Sequence, residues 1–228
     1  MKGDRIFIVI PAFNESPEVV DDTLKKVLQK KYEVVLVDDG SSRDVMTRSH
    51  RHAVHYLRHS INLGQGASLQ TGMDYALQNG ADIIVHFDAD GQQNVDDIGK
   101  FISRLQADNL DVVLGSRFLK AEDSAAVPKG RRLVLRLARL VNGIFTGLWL
   151  TDAHNGFRVF NRSGAMKIRL TENRMAHASE ILRLIKKNGL RYCEVPTHIV
   201  YTEYSKAKGQ TAINSFNILI DLIKNRIL

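Results

Sequence analysis

Two carboxylates two residues apart, Asp88 and Asp90, directly follow the apolar run at residues 83–87. Where a buried strand opens into a loop, side chains at this spacing can converge on one side of the chain. Hard carboxylate oxygens suit Mg²⁺ or Mn²⁺, and Mg²⁺ is usually held by one or two carboxylates together with substrate phosphates. Such a cation neutralises the charge of a departing diphosphate. The pair therefore predicts a metal-assisted site for a phosphorylated substrate, with a solvated turn as the alternative.

Two more polar clusters follow predicted strands. Residues 11–15 (Pro-Ala-Phe-Asn-Glu) come after a β-branched run at 5–10, and residues 38–42 (Asp-Asp-Gly-Ser-Ser) come after an apolar run at 33–37. In a parallel sheet, ligands bind beyond the carboxyl ends of the strands. The three clusters are therefore expected to share one rim of such a sheet.

The sheet itself is predicted from alternating short apolar runs and helical patterns. Strands are expected at 5–10, 33–37, 53–57, 83–87 and 112–114, and helices from 17 to about 30, at 65–79 and near 95–106. Short apolar strands separated by helices predict a parallel sheet covered on both faces. His86 lies in one of these strands, and we expect it to be a core histidine whose ring nitrogens are satisfied.

Composition excludes several classes of protein. The chain has 228 residues, of which 44% are hydrophobic and 25% charged, as in an ordinary globular protein. Its single cysteine excludes an intramolecular disulfide and a cysteine-based zinc site. No apolar run approaches the roughly 18–20 residues that cross a bilayer, and no secretory apolar segment is visible. These features predict a soluble or surface-bound protein.

Charge is distributed unevenly. Residues 1–118 contain 13 Lys and Arg against 17 Asp and Glu, whereas residues 119–228 contain 19 against 8. The basic second half indicates an anionic partner: nucleic acid, a phospholipid surface or a phosphorylated substrate. A merely solvated basic surface is the alternative.

The motifs, in this order and spacing, resemble the family 2 glycosyltransferases, which have the GT-A fold. The matching stretches lie between about residues 5 and 203 and are 10–15, 37–42, 62–66, 88–92 and 115–118. The similarity is closest to polyprenyl-phosphate sugar transferases of the dolichyl-phosphate mannose synthase type, because of the run at 152–160 and a later helix that bears Glu180. The resemblance implies an α/β fold with a mostly parallel central sheet flanked by helices.

The resemblance also implies roles for individual residues. A nucleotide-diphosphate sugar of the UDP, GDP or dTDP type would be bound by Pro11, Ala12, Asn14, Glu15, Asp39, Gly64, Asp88, Ala89 and Lys206. Asp39 would accept a hydrogen bond from the base, with Asp38 as the structural partner, and Lys206 would close over the diphosphate. A divalent cation, Mg²⁺ or Mn²⁺, would be held by Asp88, Asp90 and Gln92.

Two acceptor classes follow from this resemblance. A polyprenyl phosphate is already anionic, and Arg117, Arg131 and Arg158 are then candidates to bind it by forked hydrogen bonds. A sugar hydroxyl would instead need a carboxylate to remove its proton, and Asp152 and Glu180 are the candidates. The polyprenyl phosphate is the preferred acceptor, and Asp152, Glu180 and Arg158 are the predicted catalytic residues.

The basic half also contains an amphipathic pattern. Arg132, Arg136 and Arg139 share one helical face next to a leucine stripe, which is typical of a helix at a membrane interface. A core-packed helix with a solvated back is the alternative. Residues 212–228 could form a second interfacial helix, or a helix that docks on a membrane subunit or in a homodimer.

We therefore expect one GT-A domain over 1–228, with a nucleotide-sugar and metal half at 1–118 and an acceptor half with C-terminal amphipathic helices at 119–228. The expected enzyme is an inverting glycosyltransferase, cytoplasmic and peripherally associated with the inner face of the membrane. A polysaccharide transferase is the rival enzyme. A nucleotidylyltransferase is disfavoured because residues 11–15 stand where that class has a glycine-rich loop. A nucleic-acid-binding module is disfavoured because leucines, and not aromatic residues, alternate with the basic residues of the predicted helix.

Overall fold

The computed structural model describes residues 3–120, 139–140, 143–144, 146–153 and 155–200. The described chain contains a seven-stranded sheet with the strand order β3-β2-β1-β4-β6-β5-β7. The strands are β1 (Ile6–Ala12), β2 (Glu33–Asp38), β3 (His55–Arg58), β4 (Ile83–His86), β5 (Val112–Ser116), β6 (Arg158–Asn161) and β7 (Tyr192–Pro196).

Six of these strands run parallel, and β6 is antiparallel to both of its neighbours, β4 and β5. The predicted mostly parallel sheet is confirmed. The sequence patterns predicted neither β6 nor β7. Strand β6 is only four residues long and begins with a buried arginine, Arg158, and every residue of β7 is half-buried. The insertion of β6 brings residues 155–158 beside the end of β4.

Among the described residues, five helices cover the two faces of the sheet. They are α1 (Pro17–Gln29), α2 (Gln65–Gln78), α3 (Asp97–Ala107), α4 (Arg162–Lys167) and α5 (His177–Lys187). Side chains of α1 and α3 pack on one face, and side chains of α2, α4 and α5 pack on the other. Because the central strands are buried on both faces, they are apolar at nearly every position rather than at alternate positions.

The observed boundaries differ slightly from the predicted ones. Strand β3 begins at His55 rather than at 53, and α3 begins at Asp97. Helix α1 begins at Pro17, as predicted. Ser16 is its N-cap, but the Ser16 hydroxyl donates to Glu18, and no side-chain hydrogen bond caps the helix. No helix in the described ranges is long and apolar enough to span a bilayer. Arg132 and Arg136 of the predicted interfacial helix lie outside those ranges, and so does the predicted helix at 212–228.

Candidate active site

The polar clusters at the ends of β1 and β2 form one hydrogen-bonded unit. Ala12 and Asp38 are paired in register, and the Asp39 amide donates to the Ala12 carbonyl at 2.8 Å. Beyond the strands, the Asn14 amide donates to Ser41 Oγ at 2.8 Å. Asn14 has a left-handed backbone (φ +50°), and its side-chain oxygen accepts from the Ser42 amide at 3.0 Å. The two predicted nucleotide-binding clusters therefore meet, as the parallel sheet requires.

The predicted pocket residues of the first cluster lie at different depths. Pro11 is half-buried opposite Val37, Ala12 is buried, and Glu15 is half-buried. The Glu15 carboxylate is close enough to Asp88 to contribute to its electrostatic environment. The rim at β1 thus faces the end of β4.

The Asp39 carboxylate is buried and accepts four hydrogen bonds from residues 59–64. It accepts from the Leu63 amide at 3.0 Å and the Gly64 amide at 2.7 Å, and also from the His59 and Asn62 side chains. Both oxygens are therefore engaged by protein groups. This geometry makes Asp39 the anchor of the loop before α2, and a hydrogen bond donated by the base to Asp39 stays a prediction.

Asp38 is also engaged by protein groups. One of its oxygens accepts from the Ser41 amide at 2.9 Å, and the other accepts from the Tyr56 hydroxyl at 2.7 Å. Burial, together with this hydrogen bond, raises the pKa of Tyr56 to about 12. Tyr56 is therefore a hydroxyl donor at all physiological pH values, and Asp38 holds the turn at residues 38–41.

Asp88 lies at the end of β4 and is held by two glutamine side chains. Gln93 pairs with it twice, because its amide nitrogen donates to Asp88 Oδ2 at 2.6 Å and its oxygen accepts from the Asp88 amide at 3.1 Å. Gln65, at the start of α2, donates to Asp88 Oδ1 at 3.3 Å. Gln92 instead contacts Asp90, through its backbone amide at 3.0 Å and its side-chain amide at 2.6 Å.

The environment of Asp88 disfavours its charge. Burial and the nearby Asp90 carboxylate raise the pKa of Asp88 to about 7, whereas Arg158 and Arg117 act in the opposite direction. Two carboxylates that repel each other in this way bind a cation well, because the cation removes the repulsion. Among the described residues, no three His, Cys, Asp or Glu side chains form a metal cluster by themselves.

Arg117 and Asp152 form a buried, forked ion pair. Arg117 Nε donates to Asp152 Oδ2 at 2.6 Å, and its terminal nitrogen donates to Oδ1 at 2.8 Å. The pair is fixed from β7, because the Glu194 carboxylate accepts from the Asp152 amide at 3.0 Å and from the Thr151 amide. The structure thus brings a predicted acceptor-binding arginine and a predicted base together, in contact with each other.

Arg158 lies inside the sheet, on the face covered by α2 and α5. Burial lowers its pKa to about 10, although the charges of Asp88 and Asp152 oppose this shift. Its Nη1 atom has no hydrogen-bond partner among the described residues. Both ring nitrogens of His86, its cross-strand neighbour, are likewise unpartnered there, so the expectation that His86 is satisfied was wrong. Burial, and next the charge of Arg158, hold the pKa of His86 well below its usual range.

Glu180, in the first turn of α5, is buried and faces the segment before its own helix. Its carboxylate accepts hydrogen bonds from the Thr171 and Glu172 amides. Of the remaining predicted residues, Ala89 is buried in the core and Gly64 is the N-cap of α2. Lys206 and Arg131 lie outside the described residues.

Several residues of the site were not predicted from the sequence. Gln65, Gln93, His59 and Glu194 hold the predicted acids in place, and Gly156 lies against Asp88. Gln93 could have been identified from the sequence, because it lies in the polar stretch that directly follows a predicted strand. Nothing in the sequence pattern indicated that Glu194 would support Asp152, because the contact spans 42 residues.

Comparison with known proteins agrees with this architecture. The family model for glycosyl transferase family 2 matches residues 7–169. An uncharacterized protein of Methanocaldococcus jannaschii is 35% identical, over 98% of this chain and 93% of its own. The UDP-N-acetylglucosamine–dolichyl-phosphate N-acetylglucosaminyltransferase of Methanococcus voltae is 30% identical, over 98% of this chain and 96% of its own. The polyprenol monophosphomannose synthase of Mycolicibacterium smegmatis is 25% identical, over 94% and 83%.

Solved structures support the fold. Residues 1–349 of S. aureus TarS superpose with a TM-score of 0.55 at 14% identity, covering 84% of this chain and 58% of that one. CMP:2-keto-3-deoxy-manno-octonic acid synthetase, in complex with CTP, has the same TM-score at 17% identity, covering 90% and 96%. The fold is therefore of the GT-A type. The chain belongs to glycosyl transferase family 2, and the predicted glycosyltransferase class is confirmed.

Proposed function

We propose that this enzyme transfers a sugar, with inversion, from a nucleotide-diphosphate sugar to a polyprenyl phosphate. One observation carries the choice of acceptor: both carboxylates that could act as a general base, Asp152 and Glu180, are buried and engaged by protein donors. A general base must reach the proton that it removes and must be free to take it up. A phosphate monoester needs no such base because it arrives as an anion.

Similar proteins that are named for an activity support the same choice. The Methanococcus voltae relative is named for a dolichyl-phosphate acceptor, and the Mycolicibacterium smegmatis relative for a polyprenol monophosphate product. An undecaprenyl-phosphate mannosyltransferase of Micrococcus luteus is also 25% identical to this chain. These names agree on a lipid phosphate and differ in the sugar. The proposal therefore covers donors of the UDP, GDP and dTDP types and does not specify the sugar.

A divalent cation, Mg²⁺ or Mn²⁺, fits the residues at the end of β4. Asp88 and Asp90 are close enough for the charge of one to raise the pKa of the other, and two carboxylates plus donor phosphates are a usual Mg²⁺ ligand set. When bound, the cation would neutralise charge on the leaving diphosphate. Gln92, which donates to Asp90, would orient that carboxylate or supply its own amide oxygen.

The chain's own residues would then position the two substrates. The rim of residues 11–15 and 38–42 would bind the nucleoside, next to Asp88. An acceptor phosphate oxygen would attack the anomeric carbon on the side opposite the diphosphate, which inverts the configuration in one displacement. Arg158 has an unpartnered Nη1 within the described part of the chain, and with Arg117 and Arg131 it is a candidate donor to the acceptor phosphate.

A lipid acceptor requires contact with a membrane. Three exposed apolar residues, which we call the exposed apolar group, are suited to such a contact. Leu140, Ile144 and Trp149 are 50%, 64% and 61% exposed. The Trp149 ring lies against Gly143, since a Cβ atom built at that glycine would be 2.5 Å from the ring. Aromatic and aliphatic side chains beside basic residues are typical of a membrane interface. We propose peripheral association with the inner face of the membrane on this basis.

The test is a transfer assay with purified protein and a matrix of donors and acceptors. UDP-, GDP- and dTDP-sugars are combined with a short polyprenyl phosphate or with free oligosaccharides, in Mn²⁺ or in EDTA. We expect metal-dependent transfer to the polyprenyl phosphate, and an inverted anomeric configuration of the product by NMR. Transfer only to the oligosaccharides would overturn the lipid acceptor and favour a polysaccharide transferase. Retention of configuration would overturn the single displacement.

A further inference from the structure

We infer that Glu180 is a positioning residue of the donor site, acting through residues 171–173 on the first turn of α2. This inference rests on the proposed function, because it assigns a role within the proposed nucleotide-sugar site. We refer to residues 171–173 as the strap. Three structural links connect Glu180 to the donor site: Glu180 to the strap, the strap to α2, and α2 to the acids of the rim.

The first link is the hydrogen bonding of Glu180. Its carboxylate accepts from the Thr171 amide at 3.1 and 3.0 Å, from the Thr171 hydroxyl at 2.6 Å and from the Glu172 amide at 2.9 Å. The side chain is only 2% exposed, and Arg183 lies 3.6 Å from one of its oxygens. Hydrogen bonds to a buried carboxylate are strong, because an unpaired buried charge is costly. Glu180 therefore fixes the strap in one conformation.

The second link is the close approach of the strap to α2. The Asn173 carbonyl accepts from the Ala67 amide at 3.1 Å, in the first turn of α2. A Cβ atom at Gly64 would overlap the Asn173 carbonyl, and one at Gly66 would overlap the Glu172 carbonyl. The absence of a side chain at these two glycines therefore lets the strap approach α2 closely.

The third link joins the first turn of α2 to the rim. The Gly64 amide donates to Asp39 at 2.7 Å, and the Gln65 side chain donates to Asp88 at 3.3 Å. Asp39 holds this turn from the β2 side, and the strap holds it from the α5 side. If the strap were released, Gln65 and the loop before α2 would lose one of their two supports. The expected consequence is weaker donor binding.

The alternative role for Glu180 is that of a general base for a hydroxyl acceptor. The two roles differ in measurable ways. Loss of a base lowers kcat by about 10²- to 10⁴-fold and removes the acidic limb of the pH profile. Loss of ground-state positioning of the donor raises KM for the donor and leaves kcat largely unchanged. A role in global stability alone lowers the active fraction and leaves KM unchanged.

The experiment measures kcat and donor KM for the wild type and three variants, with the nucleotide dissociation constant determined by calorimetry. Glu180→Gln replaces one acceptor oxygen with an amide that faces backbone N–H groups. We expect about a 10-fold or greater rise in donor KM and in the dissociation constant, kcat within about 3-fold, and an unchanged pH profile. Gly66→Ala, which pushes the strap away without changing any ionisable group, should show the same pattern.

Arg183→Gln is the matched control, because it leaves the Glu180 carboxylate and its hydrogen bonds intact and should resemble the wild type. If Glu180→Gln does not fold, Thr171→Val removes only the hydroxyl bond and should raise donor KM to a smaller extent. Wild-type values of donor KM and of the dissociation constant in a folded Glu180→Gln variant, with kcat also unchanged, would overturn the inference while leaving the proposed function standing. A kcat loss at unchanged donor KM, with loss of the acidic limb, would overturn both, because it would identify Glu180 as the base for a hydroxyl acceptor. Failure of the wild type to bind any nucleotide would overturn both.

Discussion

Gly156 lies against the carboxylate of Asp88, so that a Cβ atom built at position 156 would be 2.5 Å from Asp88 Oδ2. The two residues are 68 positions apart and are brought together by the antiparallel strand β6, which follows Gly156 and pairs with β4. The glycine in this run therefore makes room for a carboxylate of the proposed metal and donor site. No other side chain fits without moving Asp88.

The first prediction is that Gly156→Ala lowers turnover at least about 10-fold while the protein stays folded. The added methyl group displaces the Asp88 carboxylate and leaves the packing of the hydrophobic core unchanged. Steady-state kinetics and circular dichroism measure the two effects. Gly99→Ala is the matched control, since a Cβ at Gly99, in α3, meets nothing within 4 Å. It should keep full activity and add up to about 1 kcal/mol of helix stability. Equal activity of both variants would contradict the proposed role of Asp88.

The second prediction concerns the proposed cation. We expect Mn²⁺ to increase the nucleotide affinity of the wild type, and Asp90→Ala should abolish both this increase and turnover. The physical reason is the loss of one of two carboxylates available to hold the ion beside the diphosphate. Asp96→Asn is the control, because Asp96 is an exposed acid nearby that pairs with Lys30. Full activity of Asp90→Ala in EDTA would refute metal dependence.

The third prediction separates two roles of Asp39. Asp39→Asn puts an amide group opposite the Leu63 or Gly64 amide, and we expect a loss of about 1.5–3 kcal/mol in unfolding free energy together with weaker nucleotide binding. Asn62→Ala removes one donor to Asp39 and leaves its carboxylate intact. If Asp39 acts by anchoring residues 59–64, Asn62→Ala also weakens nucleotide binding. Unchanged affinity in Asn62→Ala, with a loss in Asp39→Asn, would instead indicate direct recognition of the base.

The fourth prediction tests the exposed apolar group at the membrane. Trp149→Ala combined with Ile144→Asp should reduce sedimentation with anionic liposomes and slow transfer to a polyprenyl phosphate in those liposomes, with nucleotide affinity unchanged. Burial of these side chains in the interface supplies the free energy, at roughly 25 cal/mol per Å² of apolar surface. Met166→Ala serves as the control, because Met166 is an exposed apolar residue on α4. Wild-type liposome binding by the double variant would rule out this membrane contact.

The fifth prediction concerns stability and pH. Burial raises the pKa of Asp111, but hydrogen bonds from Arg191 and Asn161 outweigh it and hold the pKa below its usual value. A lowered carboxyl pKa contributes stability above the unfolded-state pKa of about 3.9, and this stability is lost as the pH falls through the folded-state pKa. Asp111→Asn should therefore cost about 1–3 kcal/mol at pH 7, by urea denaturation, and progressively less below about pH 4.

Asp44→Asn is the control for this pH dependence, because Asp44 is exposed and its 3.5 Å ion pair with Arg51 is largely solvated. Its effect should stay within about 0.5 kcal/mol at every pH. A cost of Asp111→Asn that does not change with pH would show that packing, and not charge, accounts for the loss.

The sequence by itself determined five of the parallel strands and the class of enzyme, and it predicted the rim where we propose the site. These are local or periodic properties: apolar runs mark strands buried on both faces, and polar residues at their carboxyl ends follow from parallel order. Asp88 and Asp90, Asn14, and the glycines at 64 and 66 could be selected for the same reason, since each lies next to the strand or helix that positions it.

Only the tertiary structure decided which partners those residues have. Asp39 anchors a loop, Asp152 is paired with Arg117, and Glu180 holds the strap, although the sequence suggested a base contact for Asp39 and proton transfer for the two other acids. The Asp39 and Asp152 contacts span 25 and 35 residues, and the Glu180 contact joins α5 to the segment before it. A carboxylate's chemistry depends on burial and on the donors around it, and neither can be read from its neighbours in sequence.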